Sequence, residues 1–460
     1  MSILINPSLY PLLIVGAAMA AAAIYFGWFR RPAWALYTAI FVAVMPSGSL
    51  GYVPAYIESI INRSTAVVAL VVWVFAVITQ RDRVKWTITT LLMLGFLIWA
   101  SVTLSWAGNL GRGGTTLGVY ALRFMLFLLL VPSVIRTKEN LDGLMHTLAL
   151  SGWVLLVVST ATILLEGYTP GTRFSLLGMN VNRLGIHTLV TLPGVLWLAI
   201  QPENRHNALW KVMASIFLLM TISLIAVTGS RGSSISLFII LLAFWFWKPT
   251  RPWGIFGLGM VALGVVLAPF VFTTILERFA VREAAGDTLL GGRENLWQYG
   301  WQLITKQPLL GVGIGNSPLE MMALLGPSEL AWQFDGRSIH NPIMAIWCET
   351  GIAGIILYLG VLMSAVWSFF RQYQEYRRRG MEWLMPYFAL VVSVFLGYMA
   401  SWVKDGGGES THTFFLMVAL LLIPSCLDTS ELPSTNGVDA QHTCTSKKRM
   451  EARDLQPTVA

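Results

Sequence analysis

The chain has 460 residues, of which 55% are hydrophobic and only 12% charged. A soluble domain carries about 25% charged residues, so this chain cannot coat a soluble surface of its own size, which excludes a cytosolic enzyme or a free secreted protein. The formal net charge of +8 gives no case for nucleic acid as a partner, because basic loops on the cytoplasmic side of a membrane protein produce the same excess.

In chain order, apolar runs predict membrane spans near 9–28, 33–50, 65–79, 87–105, 117–133, 143–165, 184–200, 212–228, 232–247, 254–272, 342–369, 384–403 and 412–425. Several are shorter than the roughly 20 residues a span requires. The expected fold is an all-α, polytopic membrane helix bundle of about 12–13 spans. No Lys or Arg precedes the first run, so it reads as a retained span rather than a cleavable signal. The chain divides into N-terminal transmembrane helices (1–272), a long, partly helical loop (273–341), C-terminal transmembrane helices (342–425) and a polar tail (426–460) that reads as disordered. Cys348, Cys426 and Cys444 stand far apart without a CxxC spacing, which argues against a disulfide framework or a zinc site.

Lys and Arg in short loops set orientation. Arg30, Arg31, Arg81, Arg83, Lys85, Arg136, Lys138, Arg205, Lys211, Lys248, Arg251, Arg371, Arg377, Arg378 and Arg379 fall in one set of breaks. Only Arg63, Arg112, Arg173, Arg183, Arg231 and Lys404 fall in the alternate set, the long loop aside. The first set is expected in the cytoplasm, which puts the long loop outside, in the periplasm of a Gram-negative host.

Outer-face charges run against this rule and are the candidate site residues. Arg231, in Thr228-Gly229-Ser230-Arg231-Gly232, sits between two apolar runs with almost no loop. It either snorkels to lipid headgroups or clamps an anionic lipid-linked substrate, with Ser230 as an additional donor. Arg293 stands just before ENLWQYGWQLIT, residues 294–305, whose apolar residues have helical spacing. A helix N-terminus attracts anions, and the alternative is an ion pair with Glu294 or Asp287. His340, in Ser338-Ile339-His340-Asn341-Pro342, lies where Asn341 can cap and Pro342 start a helix. An imidazole there can be a structural residue or a base for a sugar hydroxyl. Glu349 falls further along the same span and could orient that imidazole or pair with an Arg. Arg123 lies inside a span, and Arg183 flanks an outer loop. No DxD pair or His/Cys cluster suggests a metal. The run Gly311-Val312-Gly313-Ile314-Gly315-Asn316 reads as a tight turn; it lacks the preceding strand and the Gly-Lys-Ser/Thr ending of a phosphate loop.

Thr228-Gly229-Ser230-Arg231-Gly232, Gly292-Arg293-Glu294-Asn295-Leu296-Trp297, Pro308-Leu309-Leu310-Gly311-Val312-Gly313-Ile314-Gly315-Asn316, and His340-Asn341 followed by Glu349-Thr350-Gly351-Ile352-Ala353-Gly354 together resemble the core of the O-antigen ligase and O-antigen polymerase superfamily. The resemblance covers roughly residues 210–365. It implies a bacterial inner-membrane glycosyltransferase with an undecaprenyl-diphosphate-linked glycan as donor and no cofactor. The acceptor would be lipid A-core in a ligase, another glycan in a polymerase, or a protein in an O-oligosaccharyltransferase. By motif, it implies that Arg231 and Arg293 hold the diphosphate and that His340 is the base, without metal. Arg123, Arg183, Ser230 and Glu349 would be further substrate contacts, and membrane lipids the surroundings. The competing reading from composition alone is a transporter or flippase. It would favour charges and broken helices at mid-membrane in two related halves, and no internal repeat is visible.

Overall fold

The computed structural model describes residues 31–45, 55–167, 174–176, 180–204, 206–271, 293–325, 339–405 and 411–428. The expected span at 9–28, Arg173, residues 273–292 (Asp287 among them) and 326–338 of the long loop, and nearly all of the polar tail lie outside the described residues.

Every described element is helical, with no strand among the described residues. The helices are α1 (Pro32–Val44), α2 (Ala55–Ile78), α3 (Ile88–Thr103), α4 (Leu110–Val134), α5 (Lys138–Glu166), α6 (Val181–Ile200), α7 (Ala208–Thr228), α8 (Arg231–Phe246), α9 (Arg251–Val271), α10 (Arg293–Lys306), α11 (Ser317–Leu325), α12 (Pro342–Arg378), α13 (Met385–Asp405) and α14 (Thr411–Leu422). Seven are long and apolar enough to cross a membrane: α4, α5, α6, α7, α12, and α3 and α13 with their short flanking turns. The others that follow expected spans are shorter apolar helices. Leu165 is 86% exposed and Trp367 73%. Apolar side chains of this size, spread around the bundle, make sense only against lipid.

Polar residues at the run boundaries explain where the helices start. Thr87, Asn109, Thr137, Asn180, Asn207, Ser230 and Asn341 each accept a hydrogen bond from a first-turn N–H, satisfying donors that have no partner within the helix. Between helices, small residues allow close crossings, as expected where lipid tails compete with side chains for apolar contact. Gly152 meets Thr191, Gly194 meets the backbone of Met145 and Ala149, and Gly397 meets the Ser236 carbonyl. Ser236 and Ser401 hydroxyls bond at 2.6 Å where α8 crosses α13, and Thr89 and Ser364 at 2.9 Å where α3 crosses α12. Tyr358, Phe414 and Trp402 stack between α12, α14 and α13, with neighbouring ring centroids 5.0 and 5.2 Å apart.

The basic breaks meet at one end of the bundle. Arg136 donates to the Arg83 carbonyl, Asp428 N–H donates to the Arg136 carbonyl at 2.8 Å, and Lys138 reaches Glu203 at 2.9 Å. The Lys138 ammonium holds the Glu203 carboxyl below its usual range.

Three helices depart from the sequence expectation, the first being α2, which begins at Ala55 rather than 65. α4 begins at Leu110 rather than 117, and immediately after Arg123 it winds as a π-helix over Phe124–Leu130. α12 reaches Arg378 rather than ending near 369, and it is broken at Gly351. The long loop also contains α11, which the apolar pattern did not single out.

Candidate active site

The starts of α6 and α8 lie side by side. Ser230 Oγ accepts from the Ser233 N–H at 3.2 Å, capping α8, and donates to Asn182 Oδ1 on α6 at 2.7 Å. A Cβ on Gly185 would overlap the Ser233 side chain, so only glycine permits this approach. Asn180 caps α6 in turn, accepting from the Asn182 N–H at 2.9 Å. Each capped start is followed at once by an arginine: Arg183 is the third residue of α6 and Arg231 the first of α8. Both are half-buried. Two helix N-termini each contribute about half a positive charge, and two guanidinium groups add to them. Arg183 also acts electrostatically on Arg123 of α4, as does Arg63 of α2. So much positive charge at an apolar surface attracts an anion strongly. The Ser230 hydroxyl, which the sequence offered as an additional donor to a phosphate, caps the start of α8 and ties it to Asn182.

A histidine pair adjoins this arginine group. His187 stands one turn beyond Arg183, with Nδ1 2.6 Å from the Val44 carbonyl and Nε2 3.2 Å from His412 Nε2 on α14. A carbonyl only accepts, so His187 carries its proton on Nδ1, and in the uncharged pair His412 Nε2–H donates to His187. Arg123 and Arg183 both act electrostatically on His412. Sequence reasoning missed the pair and Arg63, because their helices are far apart in the chain. The signal available was Arg63's place in the minority set of outer-face arginines.

The second part of the site is built around the break in α12. Gly351 has φ 65° and ψ −167°, a region open essentially to glycine alone. The break frees backbone groups that a continuous helix would pair, and the glycine run takes them up. Val312 N–H donates to the Cys348 carbonyl at 2.8 Å and Gly313 N–H to the Glu349 carbonyl at 2.9 Å. In return, Ile352 N–H donates to the Pro308 carbonyl at 3.1 Å. Trp99 Nε1–H donates to the Thr350 carbonyl at 2.7 Å and Trp106 Nε1–H to the Gly311 carbonyl at 3.1 Å. Ile314 N–H donates to Thr103 Oγ1 at 3.1 Å, and Asn316 Oδ1 accepts from the Asn109 N–H at 2.8 Å. Gly311, Gly313 and Gly315 all have positive φ, so the expected tight turn is present. Its N–H groups from Gly311 to Asn316 all donate within the protein, which leaves no cradle for a phosphate.

Glu349 is the side-chain clasp of this junction. Its carboxylate accepts from the Gly315 N–H at 2.8 Å and the Ser317 hydroxyl at 2.7 Å. These bonds tie α12 to the start of α11, where the sequence offered His340 or an arginine as the partner. Replacing Glu349 by alanine strands a buried N–H and should cost about 1–3 kcal/mol of stability. Glutamine should cost much less, because its oxygen can serve Gly315 while the serine hydroxyl turns to accept from its amide. Thermal unfolding of both variants in detergent checks this. A shifted pH–activity profile in Glu349→Gln with unchanged stability would instead couple Glu349 to a titrating site group.

His340 sits at the entrance to α12 with φ 54°, a left-handed conformation uncommon for a residue with a side chain. Its neighbours hold it there. Ile339 is fully buried in a small core with Leu296, Leu303 and Ile304 of α10 and Val312, Met321 and Cys348. Asn341 Oδ1 accepts from the N–H groups of Ile343 and Met344, both at 3.1 Å, as the His-Asn-Pro sequence foretold. Arg293 is the first residue of α10, so the expected helix at 294–305 is present and the arginine is at its N-terminus. The structure thus brings the helix starts that carry Arg231 and Arg183 together, sets Arg123 in the electrostatic range of Arg183, and joins His340, Glu349 and α10 in one unit around α12.

The fold is that of a multi-pass membrane protein, all-helical among the described residues, with two arginine-bearing helix starts side by side. Residues 215–359 match the O-antigen ligase family, Wzy_C, and the chain carries an O-antigen ligase family domain over that segment. The match takes in Arg231, α10, α11, the glycine run, His340, Glu349 and the break at Gly351, while Arg63, Arg123, Arg183 and His187 precede it and His412 follows it. That domain points to glycan transfer of the O-antigen ligase or polymerase type, with lipid-linked glycans as substrates. No curated protein matches the sequence.

Proposed function

We propose that this protein is an O-antigen ligase-type glycosyltransferase of the bacterial inner membrane, moving a glycan from undecaprenyl diphosphate to lipid A-core at the periplasmic face. The observation that carries the reading is the O-antigen ligase family domain over 215–359, which contains both Arg231 and His340.

In this reading the paired starts of α6 and α8, with Arg183 and Arg231, receive the donor diphosphate. Arg123 reinforces the field, and Arg293 closes on the anion from the start of α10. Guanidinium groups suit this task because they bind phosphate bidentately and stay charged. Negative charge grows on the diphosphate as the sugar C1–O bond breaks, so the arginines stabilise the transition state more than the ground state. The acceptor hydroxyl attacks from the opposite face and gives its proton to His340, so the anomeric carbon inverts. The diphosphate is a good leaving group, and the step requires neither a nucleotide nor a metal. Ser230 and Glu349 act by holding the arginine-bearing helix start and the glycine run in place.

A deletion strain separates ligase from polymerase. Full-length glycan accumulating on the lipid carrier is the result expected for a ligase. Single repeat units on the carrier would assign the protein to polymerisation, and loss of glycan from proteins with intact lipopolysaccharide would assign it to protein O-glycosylation.

A further inference from the structure

At the end of the bundle where the basic breaks meet, a cleft of about 1310 Å³ opens between the turn from α6 to α7, the turn from α8 to α9, and the end of α12 with the start of α13. Three cations line it, Lys211, Lys248 and Arg377, together with the indoles of Trp247, Trp253 and Trp383. One lining carboxylate, Glu382, opposes them. Glu203 nearby is already paired with Lys138, whose ammonium lies 5.9 Å from the Trp383 ring centre. The Trp383 indole N–H is buried, with no hydrogen-bond partner among the described residues. Phe246, also in the lining, is 74% exposed and belongs to the lipid-facing surface.

Each feature narrows the occupant. The net positive lining selects an anion. The indoles suit the interface depth where Trp is favoured in membrane proteins. The volume exceeds the usual 300–1,000 Å³ or so of a small-molecule pocket, and at Phe246 the cleft runs out onto exposed apolar surface. A phosphate diester on two acyl chains satisfies all of these at once, whereas a soluble metabolite would leave the apolar side of the cleft unfilled. We propose that this cleft binds an anionic phospholipid, its phosphate held by Lys211, Lys248 and Arg377 and its chains running out past Phe246. The lipid belongs to the leaflet opposite the glycan-transfer site; calling that leaflet cytoplasmic rests on the orientation read above.

Native mass spectrometry of the detergent-purified full chain, titrated with phosphatidylglycerol, cardiolipin or phosphatidylcholine, tests this. The wild-type protein should retain an anionic lipid and not phosphatidylcholine. The triple variant Lys211→Gln, Lys248→Gln, Arg377→Gln should bind it about tenfold more weakly or worse, since it removes the charge-assisted hydrogen bonds that the cleft lining would give the phosphate. A control with Arg81→Gln, Arg371→Gln and Arg378→Gln, exposed cations outside the cleft lining, should keep it, with both triple variants unfolding at the wild-type temperature. Equal lipid retention in the two triple variants overturns the proposal. Displacement of the lipid by millimolar inorganic phosphate overturns it in favour of a free-phosphate site. A wild-type dimer that the cleft variant dissociates without losing lipid overturns it in favour of a second copy. The readout uses no glycan donor, so its failure leaves the transfer chemistry untouched, and the reverse holds as well.

Discussion

His340→Ala is expected to lower glycan transfer about 10²–10⁴-fold, the usual contribution of a positioned general base, with protein amount and unfolding temperature unchanged. The residue is half-buried, and the structure around it is maintained by its neighbours. Ile339 supplies the packing and Asn341 the helix cap, and both stay in place when the imidazole is removed. Arg231→Ala tests the other half of the mechanism. A hydrogen bond to a charged group is worth about 1.5–3 kcal/mol, so transfer should fall more than tenfold. Because the leaving group's charge grows during the reaction, the loss should appear in kcat as well as in substrate affinity. Arg231→Lys keeps the charge but not the bidentate geometry and should recover only part of the rate. The measurement is transfer of a purified undecaprenyl-diphosphate glycan in detergent, and near-normal transfer in His340→Ala or Arg231→Ala would remove that residue from the mechanism.

Gly351→Ala is the substitution expected to damage the structure most. A side chain at φ 65°, ψ −167° costs on the order of 1–3 kcal/mol in backbone strain alone. The added Cβ would also overlap the Leu309 carbonyl, which cannot move away because the neighbouring Pro308 carbonyl and Val312 N–H are bonded to α12. Relief requires the glycine run to leave the break, exposing the Cys348 and Glu349 carbonyls without partners. The folded yield should fall sharply, and any protein recovered should unfold well below wild type. Gly114→Ala, at a position where a Cβ meets nothing within 4 Å, is the matched control. An unchanged melting temperature for Gly351→Ala would mean that the break can straighten into an ordinary helix.

The membrane helices were legible because an apolar run between polar caps allows little besides a helix in lipid. Thr87, Thr137, Asn180, Asn207 and Asn341 mark starts that a reader of the sequence can place within about five residues. His340-Asn341-Pro342 was legible for the same local reason. Pairings across the chain were not. Nothing near Glu349 in sequence indicates that its carboxylate belongs to Gly315 and Ser317, and nothing near His187 indicates His412. Ser230 shows the limit of motif reasoning. Its place beside Arg231 suggests a phosphate donor, yet the same hydroxyl is also the best available cap for α8, and the cap is what the fold uses. The extension of α4 and its π-helical stretch were hidden because Leu110–Thr116 is polar and glycine-rich while Phe124–Leu130 is uniformly apolar.

A glycine in mid-span invites description as a hinge. At Gly351 the opposite holds, because the amides and carbonyls set free by the bend are welded to the 308–313 strap and to the Trp99 indole of α3, while the Trp106 indole pins the strap itself at the Gly311 carbonyl. Swinging the upper half of α12 would tear main-chain bonds on both sides at once. If the chain transfers glycan as proposed, room for a bulky acceptor has to be found outside that weld.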